Sequence, residues 1–271
     1  MARARVLTVA GSDPSGGAGL QADLGVFAAF GCHALGVVAG LTVQSSAGVH
    51  AVLAVAPGFV AAQLEALFAD CPPAAAKTGM LADVDAVRAV AAVFSAWPRV
   101  PLVVDPVAAS ADGVALASIE ARHALLAELI AAAALVTPNS VEAEAMTGLA
   151  VTSVEGAVAA ARRLVEMGAQ AALVKGGHLC GDSVIDVLVR RQSGVTPQFY
   201  ERPRVVLERR VHGTGCALSA AIASGLARGL PLPEAVRVAG DWVHAAIAKS
   251  YPIGAGACSL DRSVRVKGMP A

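Results

Sequence analysis

The sequence predicts an α/β protein built on a mainly parallel sheet with helices on both faces. Three observations predict it. Short apolar runs alternate with helical segments along the chain, the pattern of doubly wound folds. Most of the runs are apolar throughout, as strands buried on both faces of a parallel sheet are. Glycines and polar residues gather just after the runs, where such a sheet binds ligands.

The elements follow in order. RVLTVA (5–10) reads as the first strand, and a helix is predicted over 17–30 after a glycine-rich turn. ALGVVAGLTV (34–43) is the second strand, and VHAVLAV within 34–56 adds a β-run that would form a small β lid. A helix over 57–70 leads to AAAKTG (74–79), and another over 83–96 leads to PLVVDPV (101–107). Helix 118–132 precedes ALVTPN (134–139); helices 140–147 and 153–168 precede AALVKGG (171–177) and VIDVLVR (184–190). The stretch 192–205 reads as a hairpin or edge excursion, and helices over 214–228 and 233–249 close the pattern. No repeat or linker interrupts the chain, so a single domain, 1–271, is the simplest organisation.

Composition narrows the function classes. Hydrophobic residues make up 56% and charged residues 15%, which excludes a disordered chain. The longest apolar helical run, 124–136, is too short to span a bilayer and contains Glu128. Basic and acidic residues balance at 21 each, and clusters such as Arg209 and Arg210 are local, so neither nucleic acid nor membrane is an expected partner. The five cysteines are widely spaced without C-x-x-C, and the first residues lack a signal-peptide h-region. Reduced thiols in a cytoplasm are the expectation.

Two glycine clusters carry the chemistry. AGSDPSGGAGLQAD (10–23) nearly spells a phosphate-binding loop, with Gly11 and Gly16 correctly spaced, but Gly17 and Ala18 replace the lysine and the hydroxyl. VHGTGCALSAAIASGLARG (211–229) places Gly213, Thr214, Gly215 and Cys216 at a helix start, with Leu218, Ile222 and Leu226 as a buried stripe. Open N–H groups and the partial positive charge of a helix start can cradle an anion there without lysine. The same position lowers a thiol pKa, so Cys216 is expected to favour thiolate; a small buried residue filling the turn is the other reading.

The ordered set AGSDPSGGAGLQAD, KTGML, DPV, TPNSVEAE, VKGGH and HGTGCALSAAIA resembles the hydroxymethylpyrimidine/phosphomethylpyrimidine kinases, a ribokinase-like group, over about residues 5–250. The resemblance implies a ribokinase-like three-layer α/β/α fold. It also implies that ATP, with Mg2+, phosphorylates an aminopyrimidine hydroxymethyl group and then the monophosphate. Gly213, Thr214, Gly215 and Cys216 would then hold the transferring phosphoryl group, Cys216 acting as base. Gly11, Asp23, Gln44, Met80 and Val107 would form the pyrimidine side, with Gln44 pairing to the heterocycle edge. Asp105, Asn139, Glu142 and Lys175 would serve the nucleotide, and Glu142 the magnesium through water. Asn139 and Glu142 also fit a helix cap. His178 and His212 are read as hydrogen-bonded structural residues, and Lys77 as the member of a buried ion pair. A homodimer is expected on the same resemblance.

The chain departs from the family pattern at Val211, usually threonine, and in AASADG (108–113), which lacks the usual lysine. A pyridoxal-type kinase on the same fold remains an alternative, as does a non-catalytic pyrimidine-binding protein. A dinucleotide-dependent oxidoreductase fits less well, because Gln44 stands where a ribose-binding acid is expected.

Overall fold

The computed structural model describes residues 3–110, 112–194 and 196–268. Ala111, Val195 and the last residues of the C-terminal tail lie outside the described residues, so the AASADG loop, the 192–205 stretch and the tail are followed only in part.

A nine-stranded sheet runs in the order β3-β2-β1-β4-β5-β6-β7-β8-β9. Its strands are β1 (Arg5–Ser12), β2 (His33–Ser45), β3 (Gly48–Ala54), β4 (Ala75–Thr78), β5 (Leu102–Val104), β6 (Leu135–Val136), β7 (Ala171–Val174), β8 (Ser183–Arg190) and β9 (Pro197–Pro203). From β2 to β7 neighbouring strands are parallel; β3, β8 and β9 pair antiparallel to the strands they join. The expected β lid is the β2–β3 hairpin, and the expected edge excursion is β9.

Among the described residues eight α-helices cover the sheet: α1 (Gly19–Ala29), α2 (Pro57–Asp70), α3 (Val84–Ala96), α4 (Ile119–Ala124), α5 (Ser140–Thr147), α6 (Val154–Glu166), α7 (Thr214–Ala227) and α8 (Leu232–Ala248). Leu7, Val9, Val37, Val104, Val136 and Val174 belong to the core shared with α2 to α6. Val6, Val103, Leu135, Leu173 and Leu188 belong to the core shared with α1, α7 and α8. Alternate residues of each strand thus face opposite helix layers, which is why the runs read apolar throughout.

Side chains cap α3 to α6: Asp83, Ser118, Asn139 and Ser153 each accept a backbone N–H of the first turn. The small residues of α7 pack it tightly; a Cβ on Gly225 would lie 3.0 Å from Ala235 Cβ on α8.

Three sequence expectations change. The helix over 118–132 is broken: after α4, a π-turn (Leu125–Leu129) and a 3-10 turn (Ile130–Ala132) let consecutive Leu129 and Ile130 both bury fully. Strands 101–107 and 134–139 stop at Val104 and Val136, short of Pro106 and Pro138, which cannot donate to a ladder. A second sheet, β10 (Val211–His212), β12 (Cys258–Ser259) and β11 (Tyr251–Pro252), was not foreseen. The tail also packs: Trp242 Nε1 donates to Val264 O at 2.9 Å, and Val264 and Val266 lie against the core.

Candidate active site

The strand ends carry a polar row. Thr8, Lys77, Asp105, Thr137 and Lys175 each stand two residues beyond a strand residue on the face toward α1 and α7. All but Lys175 are fully or almost fully buried, and Lys175 has a side chain 12% exposed. The first two turns of α7 lie over this row: Ser219 Oγ lies 3.2 Å from Asp105 Oδ2, and Lys175 Nζ would stand 3.0 Å from a Cβ on Gly215.

The opening glycine-rich turn has its own anion. Asp13 is buried, and its carboxylate accepts Ser15 N–H at 2.9 Å, Ser15 Oγ–H at 2.8 Å and Ala18 N–H at 2.8 Å. Turn N–H groups of this kind would otherwise form a nest for a phosphate. Here an internal carboxylate fills it, so the turn needs neither lysine nor ligand to stay closed. Asp13 went unrecognised in the sequence, although Asp followed by Ser two residues on is an Asx-turn signal.

Gly11 and Met80 are brought together, and Gln44 stands four residues beyond Gly40 on β2. Met80 is 7% exposed, and its methyl occupies the space where Gly11 and Gly40 lack a Cβ. Gln44 Nε2 donates to His212 Nε2 at 2.8 Å, and His212 Nε2 lies 3.7 Å from Asp13 Oδ2. Burial holds the His212 imidazole below its usual pKa, against the pull of Asp13, so it is neutral and able to accept from Gln44. His212 is therefore a positioned side chain of the site. Val107 lines a 190 Å³ cavity with Gly79, Leu81, Leu126, Met146 and Glu142.

Asp23 does not rim the pocket. It is fully buried on α1, where its Oδ2 accepts Thr8 Oγ1–H at 2.6 Å and pairs with Lys77 Nζ at 2.8 Å. The stripe Ala22, Asp23, Val26, Phe27 is the inward face of α1, which removes Asp23 from direct contact with a substrate. Lys77 is the buried ion-pair member expected of it.

The turn at 213–216 is built as expected, except for its thiol. Gly213 takes φ 76° and no side chain caps α7, so the first N–H groups have no capping acceptor. Cys216 does not favour thiolate: its pKa is pushed up to about 11, by burial above all. Lys77 and Lys175 pull it down, while Asp105 and Asp23 push it further up. Desolvation outweighs the helix start here.

On the nucleotide side, Asp105 is a clamp rather than an open ligand. Its oxygens face Lys175 Nζ at 2.9 Å, Thr137 Oγ1 at 3.3 Å and Ser219 Oγ at 3.2 Å. Burial opposes ionisation, but Lys175 and Lys77 hold the carboxyl below the usual range, and Lys175 is raised in turn, its own burial penalty outweighed by Asp105 and Glu142. Asn139 and Glu142 form a full capping box: Asn139 Oδ1 accepts Glu142 N–H at 2.9 Å and Glu142 Oε2 accepts Asn139 N–H at 2.7 Å. Lys175 Nζ lies 3.9 Å from that same Oε2. Glu142 Oε1 carries no hydrogen bond among the described residues. A single carboxylate beside a lysine and an uncapped helix start fits a nucleotide whose magnesium keeps most of its waters.

The AASADG loop lacks its own lysine, but a cation reaches it: Arg210 Nη2 pairs with Asp112 Oδ1 at 2.5 Å. Among the described residues no helix is long and apolar enough to cross a membrane.

The three-layer fold, with an uncapped helix start over the strand ends, defines a ribokinase-like small-molecule kinase. The phosphomethylpyrimidine kinase family matches residues 13–261, and the chain belongs to that family. A hydroxymethylpyrimidine/phosphomethylpyrimidine kinase of Rhizobium meliloti is 42% identical over 258 residues, covering 92% of this chain and 93% of that protein. The thiamine biosynthesis bifunctional protein ThiED of Geobacter sulfurreducens is 42% identical over 254 residues, covering 94% of this chain; the chain spans only about half (51%) of its length. Among solved structures, a phosphomethylpyrimidine kinase of Clostridium difficile superposes with TM-score 0.79 at 36% identity, over 90% of this chain and all of that one. A pyridoxal kinase of Bacillus subtilis, in complex with ADP, superposes with TM-score 0.87 at 30% identity, over 97% and 98%.

Proposed function

We propose that this chain, acting as one domain, transfers phosphate from ATP to the hydroxymethyl group of 4-amino-5-hydroxymethyl-2-methylpyrimidine, and then to the resulting monophosphate, in cytoplasmic thiamine biosynthesis. The observation that carries the reading is the contact between the two glycine turns. A Cβ on Gly213 would overlap the carbonyl oxygen of Gly17, so the acceptor-side loop abuts the uncapped start of α7.

When bound, ATP supplies the phosphoryl group and magnesium offsets part of its charge. The chain's residues position and neutralise, as phosphoryl transfer requires. The N–H groups at Gly213 to Cys216 face the transferring group, with Lys175 behind them. Gln44, held by His212, presents its amide to the heterocycle edge, and Met80 walls the ring. Cys216 is a thiol at neutral pH, about one part in ten thousand ionised if its pKa is about 11. Its action as base draws on that minority form. The monophosphate is already ionised, so the second transfer needs no such base.

We also propose a homodimer. Leu41, Val43 and Leu53 are 45%, 60% and 65% exposed on the β2–β3 hairpin, and Leu41 and Leu53 are cross-strand partners. Sedimentation of wild type and Leu41→Ser with Leu53→Ser tests it; monomeric wild type refutes it.

An ADP-release assay on the hydroxymethylpyrimidine, its monophosphate and pyridoxal tests the function. Release with both pyrimidines is expected. The similarity to pyridoxal kinase favours pyridoxal as the competing substrate; release with pyridoxal alone would make that reading correct. Tight pyrimidine binding without ADP release would mark a non-catalytic binder.

A further inference from the structure

We propose that His212 is a specificity-determining positioning residue: its hydrogen bond to Gln44 fixes which way round the Gln44 amide faces the heterocycle, and protonation of the imidazole turns that amide over. This rests on the reading of Gln44 as the residue that pairs with the heterocycle edge.

The Gln44 amide lies between two partners of different kinds. Its Nε2 stands 2.8 Å from His212 Nε2, and its Oε1 stands 3.2 Å from Thr42 Oγ1. An imidazole nitrogen without a hydrogen only accepts, so it takes an N–H of the amide. A protonated one only donates, so it needs the amide oxygen. Thr42 suits both arrangements, because its Oγ1 also lies 2.9 Å from Ser12 O. In one arrangement it gives its proton to Gln44 Oε1. In the other it gives that proton to Ser12 O and accepts the amide N–H. Both directions of the amide are satisfied, and His212 decides between them.

The surroundings of the imidazole leave that decision to Gln44 and the solvent proton. Asp13 Oδ2 lies 3.7 Å from His212 Nε2, beyond hydrogen-bond distance. The side chain of His212 is 21% exposed, so a proton can reach it. Burial keeps the ring neutral; Asp13 in the opening turn and Asp112 in the loop after β5 draw a proton toward it, and Arg210 on the same segment and Arg262 from the tail repel one.

The direction of the amide has a chemical consequence. In 4-amino-5-hydroxymethyl-2-methylpyrimidine an accepting ring nitrogen and the donating amino group are neighbours. An amide pairs with both at once only when its oxygen faces the amino group. The hydroxymethyl group sits on the carbon beyond the amino group. Reversing the amide therefore either removes a hydrogen bond or turns the ring over, which carries the hydroxymethyl group to the other side of the pocket. An analogue without the amino group makes a single bond whichever way the amide faces.

The test measures affinity by calorimetry on the full chain between pH 5 and 8, for that pyrimidine and for its analogue lacking the 4-amino group. Binding is read rather than turnover, so ionisation of Cys216 does not enter. In wild type the preference for the amino compound should fall about tenfold, the worth of one hydrogen bond, as the pH drops below the ordinary histidine range near 6.5. In His212→Gln, the conservative variant, the new amide accepts at every pH. The preference at pH 8 should be kept and the acid fall reduced. Protonation of the ligand's own ring affects both proteins alike, so the difference between the profiles belongs to His212. Superimposable profiles would overturn the proposal. A second measurement needs no variant: in the 15N spectrum of wild type, His212 Nε2 should carry no hydrogen at pH 8, and a protonated Nε2 there would equally overturn it. Gln44→Ala should abolish the preference at pH 8; a preference kept in that variant would overturn the reading of Gln44, whatever His212 does.

Discussion

Gly213 and Gly17 meet backbone to backbone: the left-handed residue that starts α7 has no room for a Cβ because the Gly17 carbonyl oxygen occupies the space. Gly213→Ala would add both the strain of a non-glycine residue at φ 76°, about 1–2 kcal/mol, and a collision with backbone that cannot swing aside. Both phosphorylations should fall by about a hundredfold, as when an oxyanion-type donor is lost. Steady-state rates on both acceptors check this; loss of only the first would place the turn outside the phosphoryl site.

Cys216 predicts a pH signature. With its pKa at about 11, the thiolate fraction rises about tenfold per unit between pH 6 and 9. The first-step kcat/KM should rise with it, and the second step should not. Cys216→Ala should slow the first step far more than it weakens pyrimidine binding. A flat profile for the hydroxymethyl substrate would remove Cys216 as the base.

Asp13 ties its loop from within. Asp13→Ala leaves the Ser15 and Ala18 N–H groups without their acceptor, a loss of about 1–3 kcal/mol. Inorganic phosphate should then raise the melting temperature of the variant more than that of wild type, since the variant adds an empty nest to the uncapped start of α7 that both share. Equal responses would mean the N–H groups do not form one.

Arg262 reaches back from the far end of the chain. Its Nη2 donates to Gly16 O at 2.8 Å and Gly17 O at 3.0 Å. Arg262→Met should cost about 1.5–3 kcal/mol by urea unfolding. It should also lower kcat by loosening the loop that abuts Gly213. Unchanged kcat would confine Arg262 to stability.

Gln44→Ala should weaken pyrimidine binding measured by calorimetry, with ATP binding unaffected. It also frees His212 Nε2 from its amide partner, so the imidazole pKa, followed by NMR, should change in the variant.

The fold was legible because its strands are apolar on both faces and its helices fall between them. The placement of Gly213 to Cys216 at a helix start, and of Gln44 and Lys175 at strand ends, was legible from the glycine cluster and the apolar runs. Asp23 was misplaced for a reason the sequence contains: it lies on the same helical stripe as Ala22, Val26 and Phe27, and the glycines before it drew attention to the turn instead. The Cys216 thiol was not legible, since a local helix start favours thiolate while the opposing burial depends on segments from β1, β4, β5 and β7. His212 was read as a hydrogen-bonded residue, but its partner Gln44, 168 residues away, was not foreseen, and Arg262 was missed because its partners lie 246 and 245 residues away. No local pattern encodes such pairings.

The strands of the sheet differ widely in length. β1, β2, β8 and β9 run for 8, 13, 8 and 7 residues, whereas β4, β5, β6 and β7 between them have 4, 3, 2 and 4. β5 and β6 stop short of Pro106 and Pro138, and Asp105, Thr137 and Lys175 give the last backbone N–H bonds to the neighbouring segments. The sheet therefore has a waist where few ladder bonds join its two wings, one bearing Gln44 and the other Lys175. Fewer residues are paired across that waist than in either wing.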